Sequence, residues 1–106
     1  MTKELSISFI GIAEVRGFIF TQLDASPRAY LYEVKVPDKD TGEILSTHYE
    51  TFLRKRNVQA RLNIDSISYP KSNSFGAWAF TYSDKNLAIG KFKELSNHEP
   101  KHKKAS

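Results

Sequence analysis

One residue separates His48 from Glu50 in a stretch predicted to be a β-strand, so both side chains would lie on one face. A carboxylate beside an imidazole can orient it for acid–base chemistry. No serine nucleophile or third partner is marked, and the absence of cysteine excludes thiolate catalysis and thiolate metal sites. The remaining histidines, His98 and His102, lie near the C-terminus. We therefore expect His48 to be a surface or partly packed residue in a non-enzymatic protein without metal or cofactor.

Residues 40–42 (Asp-Thr-Gly) resemble the triplet of aspartic proteases, in which two carboxylates share a proton at the ends of apolar strands. Lys39 and Glu43 flank this triplet in a polar loop, which favours an Asp-Gly hairpin turn. Asp38 begins a spacing similar to that of a calcium loop, but the twelfth position is Tyr49 where an EF-hand requires Glu. Neither a protease dyad nor a calcium site is predicted.

Residues 16–20 (Arg-Gly-Phe-Ile-Phe) place a basic residue, a glycine and two alternating aromatics on a predicted strand. This pattern resembles the ribonucleoprotein consensus of RNA-recognition motifs and cold-shock domains, whose aromatic side chains stack on bases. Fifteen preceding residues are too few for the strand, helix and strand that come before it in an RNA-recognition motif. With the tyrosines of the next strand, the implied stacking surface consists of Arg16, Phe18, Phe20, Tyr30 and Tyr32.

The same aromatic residues could instead pack the core of the sheet. The face that the C-terminal helix covers distinguishes the two possibilities. A helix on Phe18, Phe20, Tyr30 and Tyr32 would bury them, whereas a helix on the face of Leu31 would leave an aromatic surface to be explained.

Sixteen Lys and Arg against twelve acidic residues give a net charge of +4 and a pI near 9.4. Three of the lysines belong to residues 98–106, predicted to be a flexible basic tail, and the rest of the chain carries only +2. Cations can neutralise phosphates in a loop or a tail. The predicted phosphate contacts are Arg54, Lys55, Arg56, Arg61, Lys71, Lys101, Lys103 and Lys104.

Alternating apolar residues and turn signals predict an α+β fold within residues 1–97, which form one domain. Its curved antiparallel sheet of about five to six strands packs against one C-terminal α-helix, followed by a disordered basic tail. The predicted strands cover residues 5–9, 15–22, 29–36, 44–54, 64–69 and 77–82.

Ser83 is the predicted N-cap of the helix, which ends near Asn97 before Pro100. Residues at helical spacing would form the apolar stripe of this helix. Gly90 inside the helix lowers its stability by about 1 kcal/mol relative to Ala. The stripe consists of Leu87, Ala88, Phe92 and Leu95.

These features predict a small non-enzymatic accessory protein that binds nucleic acid through a basic loop and tail, with aromatic stacking on the sheet. The alternative is a protein-interaction module, a small inhibitor or adaptor that uses a sheet edge or the aromatic face. No apolar stretch is long enough to span a membrane, and the first residues lack the features of a signal peptide. The expected location is the cytoplasm, without a membrane partner.

Overall fold

A computed structural model of the protein describes residues 2–97. Strands in this part of the chain are β1 (Ser8–Ile10), β2 (Ile19–Ala25), β3 (Ala29–Pro37), β4 (Ile44–Leu53), β5 (Arg56–Gln59), β6 (Ile64–Ile67) and β7 (Ala79–Tyr82). Its α-helix, α1, spans Lys85–Asn97, and short 3-10 turns lie at Ala13–Val15, Ala60–Leu62 and Ser72–Ser74.

Five of the strands form an antiparallel sheet in the order β1-β2-β3-β4-β7. β5 and β6 pair with each other as a separate antiparallel ribbon. The α+β class is therefore confirmed: a sheet of the expected size is followed by one C-terminal helix.

The central strand β3 shows how alternation along the chain builds two cores. Tyr30, Tyr32 and Val34 point to one face of the sheet, and all three are buried. Ala29 and Leu31 point to the other face and are buried there as well. Within the sheet, β2 and β4 pair with the two edges of β3. A further layer of chain covers each face of its first half, which is therefore buried on all sides.

The helix packs on β3, β4 and β7 on the face of Leu31. We call this side of the sheet the helix face; its buried residues are Ala29, Leu31, Ala88, Phe92 and Leu95. Asp84, rather than the expected Ser83, caps the helix, since its carboxylate accepts hydrogen bonds from the amides of Asn86 and Leu87. Leu87 is 60% exposed and does not belong to the buried stripe.

On the opposite, aromatic face, the rings of Phe9, Phe20, Tyr30, Tyr32 and Phe52 form the core. Residues 2–7 and 56–78, here called the covering layer, lie over this core and contribute side chains to it. The contributed side chains are Leu5, Ile67, Tyr69, Phe75 and Trp78.

The two parts of the covering layer are joined by backbone hydrogen bonds. The Lys3 amide donates to the Asp65 carbonyl at 2.8 Å, and the Ile67 amide donates to the Lys3 carbonyl at 2.8 Å. The chain before β1 therefore continues across to β6 and does not extend the first strand. This explains why Ile7 is 69% exposed, although the predicted strand over residues 5–9 would place it on the same face as Leu5 and Phe9.

Candidate functional site

The predicted stacking surface is largely core. Phe20, Tyr30 and Tyr32 are only 3%, 2% and 0% exposed. The helix lies on the other face, but the covering layer closes the aromatic side, with the Tyr69 ring in edge contact with Phe20 and Tyr32. These three rings are not accessible to bases, so the stacking expectation is wrong for them. The sequence pattern pointed to the helix alone as a cover.

The other two members of that surface lie before β2. Phe18 is half-buried and packs against the aromatic core. Arg16 is exposed at the end of the first 3-10 turn. The structure therefore separates Arg16 from the three buried rings, and residues 16–20 do not present a continuous platform.

The buried tyrosines hold the N-terminal part of the covering layer through their hydroxyls. The Tyr30 hydroxyl donates to the Glu4 carboxylate, and the Tyr32 hydroxyl donates to the Ser6 carbonyl while accepting from Gln22 Nε2 at 3.0 Å. Burial, followed by the bond to Glu4, raises the pKa of Tyr30 to about 12. Both groups are therefore neutral hydrogen-bond donors near pH 7.

Two cations of the predicted 54–56 cluster form ion pairs within the protein. Arg54 Nε donates to Glu4 Oε1 at 3.1 Å, and Arg56 makes two bonds of 2.8 Å to the Asp65 carboxylate. The Arg54 guanidinium, together with the Tyr30 hydroxyl, lowers the pKa of Glu4 to about 2. Arg54 thus attaches the N-terminal segment to the end of β4, whereas Arg56 links the two strands of the β5–β6 ribbon. Adjacent basic residues in the sequence reveal neither role.

The remaining predicted cations in this region are open to solvent. Lys55 Nζ lies 5.4 Å from the centroid of the Trp78 ring, and Arg61 belongs to the 3-10 turn at the tip of the β5–β6 ribbon. Lys71 lies in the loop after β6. Within residues 2–97, none of these three side chains is paired with a carboxylate. They remain available for an anionic partner.

The charge of the chain is divided between regions. Residues 54–71, here called the basic ribbon, contain five Lys and Arg and one Asp, for a net charge of +4. Residues 1–53, which include β1 to β4, contain five basic and eight acidic residues, for a net charge of −3. The mild overall charge therefore conceals a strongly basic surface beside an acidic body.

The tip of the basic ribbon also exposes apolar side chains. All four residues of β5 are exposed, and Val58 and Leu62 are 54% and 62% exposed. The ribbon is joined to the body at its base, where Ile67 is buried in the aromatic core. The pair between Arg56 on β5 and Asp65 on β6 links its two strands.

A cavity of about 690 Å³ opens between the covering layer and the first 3-10 turn. Its apolar walls are formed by Ile12, Val15, Phe20, Tyr69, Pro70 and Phe75. Glu50 lines it from β4, and Lys71 and Asn73 line it from the loop after β6. No sequence pattern indicates this site, because its walls come from four separate segments of the chain.

The expected pairing of His48 with Glu50 is present, and it has a third member. His48 Nε2 lies 2.9 Å from Glu50 Oε2, and the Tyr69 hydroxyl donates to Glu50 Oε1 at 2.6 Å. Because a carboxylate only accepts, the bonded imidazole nitrogen carries its proton. Burial, followed by the Glu50 charge, raises the pKa of Tyr69, which keeps its hydroxyl protonated. The network fixes the orientation of Glu50.

The triplet at residues 40–42 lies in the β3–β4 hairpin loop. The Asp38 carboxylate accepts hydrogen bonds from the amides of Asp40 and Thr41 at 2.8 and 3.0 Å, and Gly42 has a φ of +79°. This is the expected turn. In the described part of the chain, no group of three or more His, Asp or Glu side chains is placed to hold a metal ion.

Lys101, Lys103 and Lys104, like His98 and His102, lie outside the described residues. No helix within residues 2–97 has the length and apolar character needed to cross a membrane. No protein-family model matches the sequence, and comparisons with curated proteins and with solved structures found no match.

Proposed function

We propose that the protein is a non-enzymatic nucleic-acid-binding protein whose basic ribbon contacts phosphates. The observation that carries this proposal is the concentration of a +4 charge in residues 54–71 beside a body of opposite charge. A polyanion would be attracted to the ribbon and repelled by the acidic strands, so the charge distribution favours one orientation of the protein on its partner.

The form of the ribbon supports the same function. The major groove of B-form DNA admits a two-stranded β-ribbon, and β5–β6 is such a ribbon with Arg61 in its terminal turn. Lys55 and Lys71 lie near its base and would contact the backbone. Exposed Val58 and Leu62 add apolar surface for contact with sugars or thymine methyl groups.

The remaining basic residues contribute in different ways. Arg56 is half-exposed while paired with Asp65, and Arg54 is held by Glu4, so both would add to the local potential more than to direct contacts. The tail lysines at 101, 103 and 104 remain part of the proposal as additional phosphate contacts. Stacking by Phe20, Tyr30 and Tyr32 is not part of it, because those rings are buried.

Fluorescence titration with labelled single- and double-stranded oligonucleotides at two salt concentrations tests this function. Each phosphate neutralised on duplex DNA contributes about 0.9 to the slope of log affinity against log salt. The triple variant Lys55→Gln, Arg61→Gln, Lys71→Gln should therefore lose affinity at least about tenfold and reduce the slope by about 2 to 3.

The matched control is Lys39→Gln, Lys85→Gln, Lys93→Gln, which removes the same charge from exposed positions outside the ribbon. The control should retain most of the affinity. Undetectable binding of the unmodified protein at low salt, or equal losses in the two triple variants, would contradict the proposed function.

The free edge of the sheet favours a second candidate, a protein-interaction module. Among the described strands β1 pairs only with β2, and Ile7, Ile10 and Ile12 beside it are exposed. An open edge with apolar side chains can accept a strand from a partner. Such binding would depend little on salt, would survive loss of the ribbon charges, and would be abolished by Ile10→Lys.

A further inference from the structure

The cavity beside Glu50 combines groups that suit a ligand with two different ends. Glu50 provides a carboxylate on one wall, with 15% of its side chain exposed, and Lys71 provides an exposed ammonium group in the loop that borders the cavity. Between them the walls are mainly apolar and aromatic. The matching ligand has a flat apolar body, N–H donors at one end and an anionic group at the other.

Glu50 retains acceptor capacity for such a ligand. His48 and Tyr69 each occupy one site on a different carboxylate oxygen, and a carboxylate has about four acceptor sites. The two donors fix the carboxylate plane, so that both oxygens can accept further parallel N–H groups. A guanine base presents such a pair at N1 and N2.

The turn that forms the outer wall has two unusual features. Ile12 is 79% exposed at the cavity, although it is a large aliphatic residue that a bound ligand would cover. Ala13, also in the wall, has a φ of +57°, in the left-handed region that a non-glycine residue seldom adopts. Strained backbone of this kind is concentrated at binding sites.

We propose that this cavity binds a guanine nucleotide, with Glu50 accepting hydrogen bonds from the base and Lys71 contacting the phosphate. A simple organic cation fits less well, because Lys71 would repel it. A fatty acid fits less well, because it would place an apolar chain or a second carboxylate beside Glu50. The volume of about 690 Å³ is ample for a nucleotide.

The nucleotide has two sources, a free mononucleotide and an unpaired guanine of a strand bound to the basic ribbon. Only the second source rests on the proposed nucleic-acid binding. The two proposals fail independently, because a mononucleotide titration reports on the cavity while a fully paired duplex without free bases reports on the ribbon.

Isothermal titration calorimetry of the full chain with GMP, IMP, AMP, CMP and guanosine tests the cavity. GMP should bind with one-to-one stoichiometry. IMP lacks the N2 amino group, and AMP and CMP lack the paired N–H donors. These three nucleotides should bind at least about tenfold more weakly than GMP, since a site built for hydrogen bonds rejects analogues without them. No saturable binding at millimolar GMP, or equal affinity for all four nucleotides, would overturn the proposal.

Two variants locate the ligand within the cavity. Glu50→Gln keeps the size of the side chain but loses the carboxylate, and GMP affinity should fall at least about tenfold. Lys71→Gln should weaken GMP while leaving guanosine unchanged, because guanosine has no phosphate. Lys71 lies in an exposed loop, so Lys71→Gln still tests the ligand orientation if Glu50→Gln unfolds the protein. Equal effects of Lys71→Gln on GMP and guanosine would contradict the proposed orientation.

An oligonucleotide with one unpaired guanine in a loop identifies the source. If this strand binds at least tenfold more tightly than GMP, the nucleotide belongs to a nucleic acid held by the ribbon. If the two affinities are equal, the cavity takes a free nucleotide. Both assignments require that the affinity falls when the guanine is replaced by uracil. Tighter binding of the strand that is unchanged by this replacement would exclude the unpaired guanine as the source.

Discussion

The two faces of the five-stranded sheet are closed by different means. On the helix face, one regular element packs against small and aliphatic side chains of the sheet such as Ala29 and Leu31. On the aromatic face, loops and a two-stranded ribbon from two distant segments cover stacked rings, and tyrosine hydroxyls and the Arg54–Glu4 ion pair attach this covering layer to the sheet. A regular helix makes a closed apolar layer, whereas the irregular cover leaves a cavity and carries polar and charged groups.

The two faces therefore contribute differently to the protein. Both faces bury apolar side chains that stabilise the fold. The covering layer contains the basic ribbon, one side of the cavity and Tyr69, the partner of Glu50. Tyr69 and Lys71 border the cavity from the loop after β6, as is usual for binding sites on loops over a rigid scaffold.

Phe52→Ala should have the largest effect on the aromatic face. The Phe52 ring is fully buried and contacts the rings of Tyr30, Tyr32 and Tyr69 at centroid distances of 5.7, 6.0 and 4.7 Å. Both the sheet and the covering layer pack against this ring, so its removal would leave a cavity between them. We expect a loss of about 4 to 5 kcal/mol in the free energy of unfolding, measured by urea denaturation.

Phe92→Ala is the matched change on the helix face, where we expect a smaller loss of about 3 kcal/mol. Phe92 is 6% exposed, and the helix can shift towards the sheet to fill part of the space. The control Leu87→Ala should change stability by less than about 0.5 kcal/mol, because Leu87 points to solvent. A greater loss for Phe92→Ala than for Phe52→Ala would reverse the ranking of the two faces.

Elements built from neighbouring residues could be predicted from the sequence. Alternation along residues 29–36 predicts β3, the loop chemistry at 37–43 predicts the β3–β4 hairpin, and helical spacing of Ala88, Phe92 and Leu95 predicts α1. Each signal depends on a local period that matches backbone geometry. The cap of α1 was predicted one residue too early, because Ser83 and Asp84 are adjacent and both are suitable N-cap residues.

The cover of the aromatic face could not be predicted in the same way. Alternating Tyr30 and Tyr32 are equally compatible with a stacking surface and a core, and the choice depends on chain more than twenty residues away. The pairs Arg54–Glu4 and Arg56–Asp65 also join residues that are separated in sequence. Arg54 and Arg56, which the sequence predicts to contact phosphates, are therefore paired with carboxylates. No local periodicity of the sequence indicates these pairs.

Tyr32→Phe tests the polar attachment of the cover. The variant keeps the ring but removes the hydroxyl that donates to Ser6 and accepts from Gln22. We expect a loss of about 1 to 2 kcal/mol, because a partly buried carbonyl loses its donor. The comparison is Tyr82→Phe on the helix face, whose hydroxyl has no partner within residues 2–97 and which should be nearly neutral. Equal effects in urea denaturation would show that the hydroxyl does not hold the cover.

Two glycine substitutions compare the regular and irregular layers directly. Gly90 lies inside α1, and beyond its chain neighbours and the adjacent helix backbone no atom lies within 4 Å of the point where a Cβ would stand, so Gly90→Ala should stabilise the protein by about 1 kcal/mol. Gly76 in the cover has equal space but a φ of +95°, so Gly76→Ala should destabilise it by about 1 kcal/mol. Urea midpoints that move in the same direction for both variants would contradict this difference.

The smallest expected effect is the acid sensitivity of the Glu4 pair. The pKa of Glu4 falls from 4.5 to about 2 in the folded protein, so its contribution is fully present above pH 4.5 and is lost as the pH falls towards 2. Half of the Glu4 side chain is exposed, and solvent screening limits the contribution to less than about 1 kcal/mol. Glu4→Gln should therefore lower stability slightly at pH 7 and flatten the decline between pH 4.5 and 2.

Urea denaturation of the unmodified protein and of Glu4→Gln at pH 7 and pH 3 measures this difference. The control Glu43→Gln changes an exposed carboxylate in the β3–β4 loop that has no ion pair within the described residues, and its pH dependence should follow that of the unmodified protein. If Glu4→Gln and Glu43→Gln lose the same stability on acidification, the ion pair does not hold the cover. The covering layer would then be held by its packed rings and by the hydroxyl bond of Tyr32, without a contribution from this ion pair.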